Sequence, residues 1–171
     1  MMNILAISGS LRTVSSNTKL IQVLSALAPV GIEINIYEGI GELPHFNPDL
    51  DGDEPPQAVQ EWRKVLQAAD GVILSTPEYA HGVPGVLKNA LDWIVSSGEF
   101  VDKPTAVISA SPLATGGEKA HDSLLLTLGL MTASLIGSSK VANVNMKLAA
   151  GNLAANEELK RELQRILSLF A

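Results

Sequence analysis

Between Ile7 and Asn17 the chain reads ISGSLRTVSSN, which places five hydroxyl side chains, one arginine and one asparagine directly behind the apolar run NILA. Residues of these types make an anion site where a strand gives way to a helix. The first turn of a helix leaves backbone N–H groups unpaired and carries partial positive charge, so it attracts phosphate. The hydroxyls of Ser10, Ser15 and Ser16 and the amide of Asn17 add hydrogen-bond donors, and Arg12 adds a planar charged fork that matches two oxygens at once. Together these describe a monophosphate site, with the helix beginning near Ser16 or Asn17. A plainer use of the same residues is Ser16 as a helix cap and Arg12 as a solvated loop cation.

What is missing narrows the ligand. The chain contains no GxxxxGK[ST], so no lysine reaches a β- or γ-phosphate, and no GxGxxG brings backbone against a pyrophosphate. No serine sits in GxSxG, which removes the nucleophile turn of a hydrolase. His45 and His121 fall on separate segments without ligand spacing, so no metal site is expected.

Two further loops carry similar chemistry. TPEYAHGVPGVLKNALDW places Pro84 at the first turn of a helix, with Gly82 and Gly85 allowing the backbone to turn and approach a ligand. SASPLATGGEKA places Gly116 and Gly117 before a helix opening at Glu118. Sparse side chains in these loops leave backbone N–H and C=O groups able to clamp a flat polar ring. His81 reads either as a proton donor to an acceptor or as a structural hydrogen-bonder, and Glu78 either as a ring contact or as a cap or subunit contact. Lys88 and Asp92 stand one helical turn apart and read as a surface pair, and Trp62, Trp93 and Phe170 as core or interface anchors.

The elements that must position these loops follow from hydrophobic patterning. Short runs rich in Val and Ile are NILAIS, IEINIY (Ile32 to Tyr37), GVILST (Gly71 to Thr76), TAVISA (Thr105 to Ala110) and SLIGSSKVANV (Ser134 to Val144). Helical patterns lie between them in SNTKLIQVLSALA, PPQAVQEWRKVLQAAD, PGVLKNALDWIVSS and GEKAHDSLLLTLGLMTA, and NEELKRELQRILSLF closes the chain. Five strands alternating with five helices, three of the strands almost wholly apolar, predict an α/β fold: a three-layer, doubly wound, five-stranded parallel sheet with helices on both faces. Ligands of such sheets sit beyond the carboxyl ends of the strands, where the strand order reverses. The loops after strands one, three and four are therefore the candidates. No linker interrupts the pattern, and residues 1–171 read as one domain.

Composition sets the outer bounds. At 171 residues, with 46% hydrophobic and 18% charged side chains, the chain can build a substantial core without staples. A net charge of −6 repels nucleic acid and anionic membranes, so any bound anion must be held locally. The absence of cysteine excludes disulfides, thiolate metal sites and a cysteine nucleophile, and suits a reducing cytoplasm. MMNILAIS carries no basic segment ahead of its apolar run and reads as no secretory signal. Ser123 to Ser139 is the one uncharged stretch long enough to suggest a membrane span, and its glycines and hydroxyls point instead to a buried helix running into a buried strand.

GSLRTVSSN, PEYAHGVPGVLKNALDW and SPLATGGEKA together closely resemble the NAD(P)H-dependent FMN reductase family, a branch of the flavodoxin-like folds that includes quinone, azo-dye and chromate reductases. The resemblance covers nearly the whole chain and is most specific in the PEY…PGxLKNAxDW segment. It implies that the FMN phosphate rests on Ser10, Arg12, Ser16 and Asn17. The isoalloxazine would lie against Pro77, Glu78, Tyr79, His81 and Gly82, with Ser111, Gly116 and Gly117 on the far side. Many members carry an asparagine after the tyrosine; here Ala80 stands there, which removes one side-chain hydrogen bond near the ring.

The activity implied is an NAD(P)H-dependent FMN oxidoreductase passing hydride from NADPH or NADH to FMN and on to a quinone or similar small acceptor by a ping-pong mechanism. No side chain need act as acid or base, because the cofactor carries the chemistry. The alternative is a non-catalytic, flavodoxin-type FMN module that carries electrons or senses redox state. Only Tyr79 offers an aromatic ring in these loops, so one flavin face should stay open, which favours the reductase. The resemblance also implies a homodimer or homotetramer, built through the segments Val86 to Ser97 and Glu118 to Thr132.

Overall fold

The apolar runs hydrogen-bond side by side into one parallel sheet. A computed structural model describes residues 1–149 and 156–171. Its strands are β1 (Met2–Ser8), β2 (Ile32–Tyr37), β3 (Gly71–Thr76), β4 (Pro104–Ala110) and β5 (Ser134–Val141), in the order β2-β1-β3-β4-β5. Among the described residues six α-helices cover it: α1 (Ser16–Leu27), α2 (Gln57–Ala68), α3 (Gly85–Asp92), α4 (Glu118–Leu130), α5 (Val144–Ala149) and α6 (Glu157–Ser168). This is the flavodoxin-like fold. The order reverses between β1 and β3, whose partners run from Ile4 opposite Gly71 to Ser8 opposite Ser75, and a crevice opens at their carboxyl ends.

Alternation along each strand feeds two cores. Leu5, Ile7, Val72, Leu74 and Val107 face a layer of α2, α3 and α4 that includes Trp62, Leu87, Leu91 and Leu124. Ile4, Ala6, Ile73, Ala106 and Ile108 face α1 and α6 through Leu20, Ile21, Leu24, Leu163 and Ile166, with Val144 of α5 beside them. Strands buried on both faces carry mostly apolar residues, and β1, β3 and β4 do so, with Ser8, Ser75, Thr76, Thr105 and Ser109 as buried polar exceptions. The edge strands do not: β2 alternates between partly buried and exposed residues. β5 is likewise half-exposed, so the Ser123 to Ser139 stretch ends in an edge strand rather than a buried one. Among the described residues no helix is long and apolar enough to cross a membrane.

Two boundaries differ from expectation. β5 stops at Val141, and residues assigned to its end by pattern instead turn at Asn143, with φ of +51°, into α5. A sixth helix thus appears where a strand was expected.

The segment expected to be helical to Ser97 is regular only to Asp92. Its last carbonyls are claimed from outside the helix: Trp62 Nε1 donates to Ala90 O at 2.9 Å, and Arg63 Nη2 donates to Trp93 O at 2.8 Å. Ile94 N turns to Leu91 O in a tighter bond. Asn89 and Trp93 then hold the polar loop after β2, both donating to Pro44 O, while Phe46 N donates to Asn89 Oδ1.

The apolar side of α3 that was offered to a second subunit is also used at home. Leu87, Ala90, Leu91, Trp93 and Ile94 are all fully buried in the chain's own core.

Trp62 is therefore a structural donor as well as core volume, and its ring stacks on Tyr37 with centroids 4.7 Å apart. Trp62→Phe leaves the buried Ala90 carbonyl without that donor and should cost about 1–3 kcal/mol. Urea unfolding checks it; a midpoint equal to the parent's would show that the bond contributes nothing.

Candidate functional site

The first loop is built by hydroxyls that hold one another. Ser15, in extended conformation, is the N-cap of α1 and accepts from Thr18 N at 3.4 Å. The cap is thus one residue earlier than the Ser16 reading, and Ser16 becomes the first helical residue. Ser10 Oγ accepts from Arg12 N at 3.4 Å and shares a hydrogen bond with Tyr79 Oη at 3.3 Å, joining the first loop to the second.

Asn17 is 3% exposed, and its carboxamide faces the framework. Its Oδ1 accepts from Ser75 Oγ at 2.9 Å and its Nδ2 donates to Ala110 O at 3.4 Å. What Asn17 can offer a ligand is its backbone N–H. That group and the N–H of Ser16 lie in the first turn, where no helical carbonyl reaches them.

The second loop is a tight turn. Tyr79 N donates to Gly82 O at 3.1 Å and Gly82 N to Tyr79 O at 3.0 Å. Ala80 and His81 between them have φ of +49° and +61°. Two successive left-handed residues define a type I′ turn, whose usual occupants are Asn and Gly. Ala80 therefore carries strain at the position where an asparagine would sit with less.

Glu78, just before this turn, reaches the third loop: its Oε2 accepts from Lys119 N at 2.8 Å and Ala120 N at 3.1 Å. A carboxylate at a helix N-terminus satisfies unpaired donors and complements the helix dipole. The cap of α4 is supplied from another loop because its own N-cap, Gly117, has no side chain. His81 Nδ1 lies 3.5 Å from Glu78 Oε1, with the His81 side chain 86% exposed.

In the third loop Ser111 Oγ accepts from Leu113 N at 3.1 Å. Gly116 and Gly117 have φ of +63° and +79°. A Cβ on Gly116 would come within 3.2 Å of Lys140 and 3.3 Å of Ala142 N, so the close seat on β5 requires glycine.

These loops enclose a pocket of about 230 Å³ at the carboxyl ends of the strands. Ser10, Arg12, Ser16, Asn17, Pro77, Glu78, Tyr79 and Ser111 line it. His81, Gly82, Gly116 and Gly117 do not; they shape the turns behind the walls. Asn145, Val144, Pro112, Leu113 and Ala110 also line it and were absent from the candidates. Val144 and Asn145 were hidden by reading the run through Val144 as strand. The two asparagines in VANVN were the available sign of a turn there.

The donor set fits a phosphate ester bearing a flat ring. Among the described residues no carboxylate pairs with Arg12, so its charge is available in a chain of net charge −6. Pro77, Leu113, Val144 and Tyr79 supply apolar wall for a ring, and Tyr79 remains 47% exposed. Among the described residues no group of His, Asp and Glu could hold a metal ion.

Beneath the second and third loops lies His121, 2% exposed, with Nδ1 3.0 Å from Ser109 Oγ. Burial, then the Lys140 ammonium, push its pKa below the ordinary histidine value, and Asp122 only partly opposes them. His121 is therefore neutral in the folded chain.

Two measurements follow from this geometry. Ala80→Asn should stabilise the fold by roughly 1 kcal/mol by easing a left-handed backbone, seen as a higher Tm; an unchanged or lower Tm would show the turn unstrained. As pH falls below about 6.5 the unfolded chain takes up a proton that folded His121 refuses, so stability declines. His121→Gln should decline less between pH 7 and pH 5, and a slope equal to the parent's would assign the titration elsewhere.

Comparison with known proteins gives this site a lineage. A family model described as NADPH-dependent FMN reductase matches residues 2–146. An NAD(P)H-dependent FMN reductase of Pseudomonas aeruginosa is 34% identical over 171 aligned positions, covering 95% of this chain and 92% of the relative. A quinone reductase of Pseudomonas putida is 40% identical over 131, covering 74% and 69%. Among solved structures, FerB of Paracoccus denitrificans, a flavoenzyme NAD(P)H:(acceptor) oxidoreductase, superposes with a TM-score of 0.85 at 29% identity, covering 99% of this chain and 97% of its own. The chain belongs to the NADPH-dependent FMN reductase family.

Proposed function

We propose that the protein is an NAD(P)H-dependent oxidoreductase that holds FMN in the pocket between β1, β3 and β4 and delivers reducing equivalents to a quinone or similar small acceptor. The observation that carries this reading is the uncompensated Arg12 beside the unpaired N–H groups of Ser16 and Asn17, in a pocket whose other wall is an exposed tyrosine and apolar loop. The named activities of the relatives support it.

FMN, when held by Arg12, the first turn of α1 and the second and third loops, would supply the hydride chemistry. The chain positions the reactants. Arg12 and the first turn of α1 fix the phosphate end, and the turn from Tyr79 to Gly82 and the loop from Ser111 to Gly117 flank the ring. The N–H groups of Tyr79 and Gly82 are spent closing their own turn, so this turn contributes position and shape beside the ring. No acid or base side chain is assigned. The partial exposure of Tyr79 leaves one ring face accessible, so nicotinamide and acceptor take turns at a single place.

A homodimer or homotetramer belongs to the same reading. On α4, Leu126 and Leu130 are 78% and 77% exposed, and Val95 and Val101 stand exposed after α3. The cysteine-free chain fits the cytoplasm as its compartment.

Titration with FMN followed by steady-state NADPH and NADH oxidation with a quinone tests the proposal. Sustained, FMN-dependent turnover supports it, whereas one stoichiometric oxidation that stops would favour the carrier module. Arg12→Ala should weaken FMN about ten- to a hundredfold, as expected for a lost charged hydrogen-bond partner. Parent-like affinity in that variant would remove the phosphate from this loop.

A further inference from the structure

A fourth segment reaches the anion end of the pocket. Asn145, at the start of α5, lies 129 residues from Ser16, and its Oδ1 accepts from Ser16 Oγ at 2.7 Å. Its position is fixed from behind. Val144 is fully buried, its N–H donates to Ser111 O at 3.0 Å, and Asn143 N donates to Leu113 O at 3.1 Å. The corner after β5 is thereby tied to the third loop, while the Asn145 side chain meets the first. Both Ser16 and Asn145 line the pocket.

The contact decides what an anion meets. A serine hydroxyl has one hydrogen, and with that hydrogen on Asn145 it turns only lone pairs to other partners. The carboxamide has two N–H donors and one acceptor oxygen. If the amide is turned the other way it donates to Ser16 Oγ, and the hydroxyl hydrogen is released for the ligand. In either orientation the mutual contact consumes one polar hydrogen of the pair and leaves the others for a partner.

We propose that Asn145 is a binding residue of the phosphate end of the site, donating from its carboxamide to the phosphate of FMN and setting the direction of the Ser16 hydroxyl. This rests on the FMN reading above and adds a residue from a segment that no loop motif contains. A neutral amide suits the position: it stands beside a dianion and Arg12 without adding charge of its own.

Asn145 is exposed, so substitutions there should fold, and thermal melts of the ligand-free proteins verify it. FMN affinity is then measured by flavin fluorescence for the parent, Asn145→Ala and Asn145→Asp. Loss of one donor to a charged oxygen should weaken Asn145→Ala about tenfold. Asn145→Asp keeps an acceptor for Ser16 but sets a carboxylate near the phosphate, and should bind at least about tenfold more weakly than the alanine variant. That gap should shrink as salt is raised.

If Asn145 only fastens α5 to α1 through Ser16, the order inverts and aspartate binds as well as or better than alanine. That order, or parent-like affinity in both variants, overturns the proposal. A parent that fails to bind FMN defeats the functional reading itself and this assignment with it, an outcome distinct from a binding parent with indifferent variants.

Discussion

The carboxamide of Asn17 is the interaction on which the site depends. It accepts from Ser75 at the end of β3 and donates to the carbonyl of Ala110 at the end of β4, while its neighbour Thr18 donates to Ser8 at the end of β1 at 3.0 Å. The three strand ends whose loops build the pocket are thereby fastened to the first turn of one helix. Buried polar groups are costly unless paired, so this network holds only when helix and strands are all in register. The pocket is consequently a product of the fold and not of its loops alone.

Around that frame, charge is distributed locally. Among the described residues, a chain of net charge −6 keeps Arg12 free of carboxylates beside the helix start. The carboxylate that lines the pocket, Glu78, is directed to the backbone of α4 instead. The acid is thus hydrogen-bonded to a helix end and forms no ion pair with Arg12 among the described residues. Buried His121, its pKa lowered chiefly by burial, adds no charge beneath the second and third loops at pH 7.

Much of this was legible in the sequence, and what was not has physical reasons. β1, β3 and β4 are legible because a strand covered on both faces is almost wholly apolar, and α1, α2 and α6 because one face of each repeats at helical spacing. The loops after β1, β3 and β4 were legible from topology, and Ser10, Arg12, Ser16, Tyr79 and Ser111 do line one pocket. Long-range bonds were beyond local pattern. The early end of α3 depends on Trp62 and Arg63 from another helix. The framework role of the Asn17 side chain depends on residues 58 and 93 positions away. Asn145 lies just beyond the run from Ser134 to Val144, whose composition is that of a strand, while the left-handed Asn143 near its end leaves only a weak local mark. Ser15 and Ser16 are adjacent and chemically alike, and only the backbone angle of Ser15 separates cap from first helical residue.

The reach of Glu78 into α4 also governs how the cleft can breathe. One carboxylate grips the backbone of the opposite wall by two hydrogen bonds, so those walls are coupled and share their fluctuations. Widening the gap between them would expose two helix-end donors and a carboxylate at once. Those two hydrogen bonds therefore oppose any change in the width of the cleft.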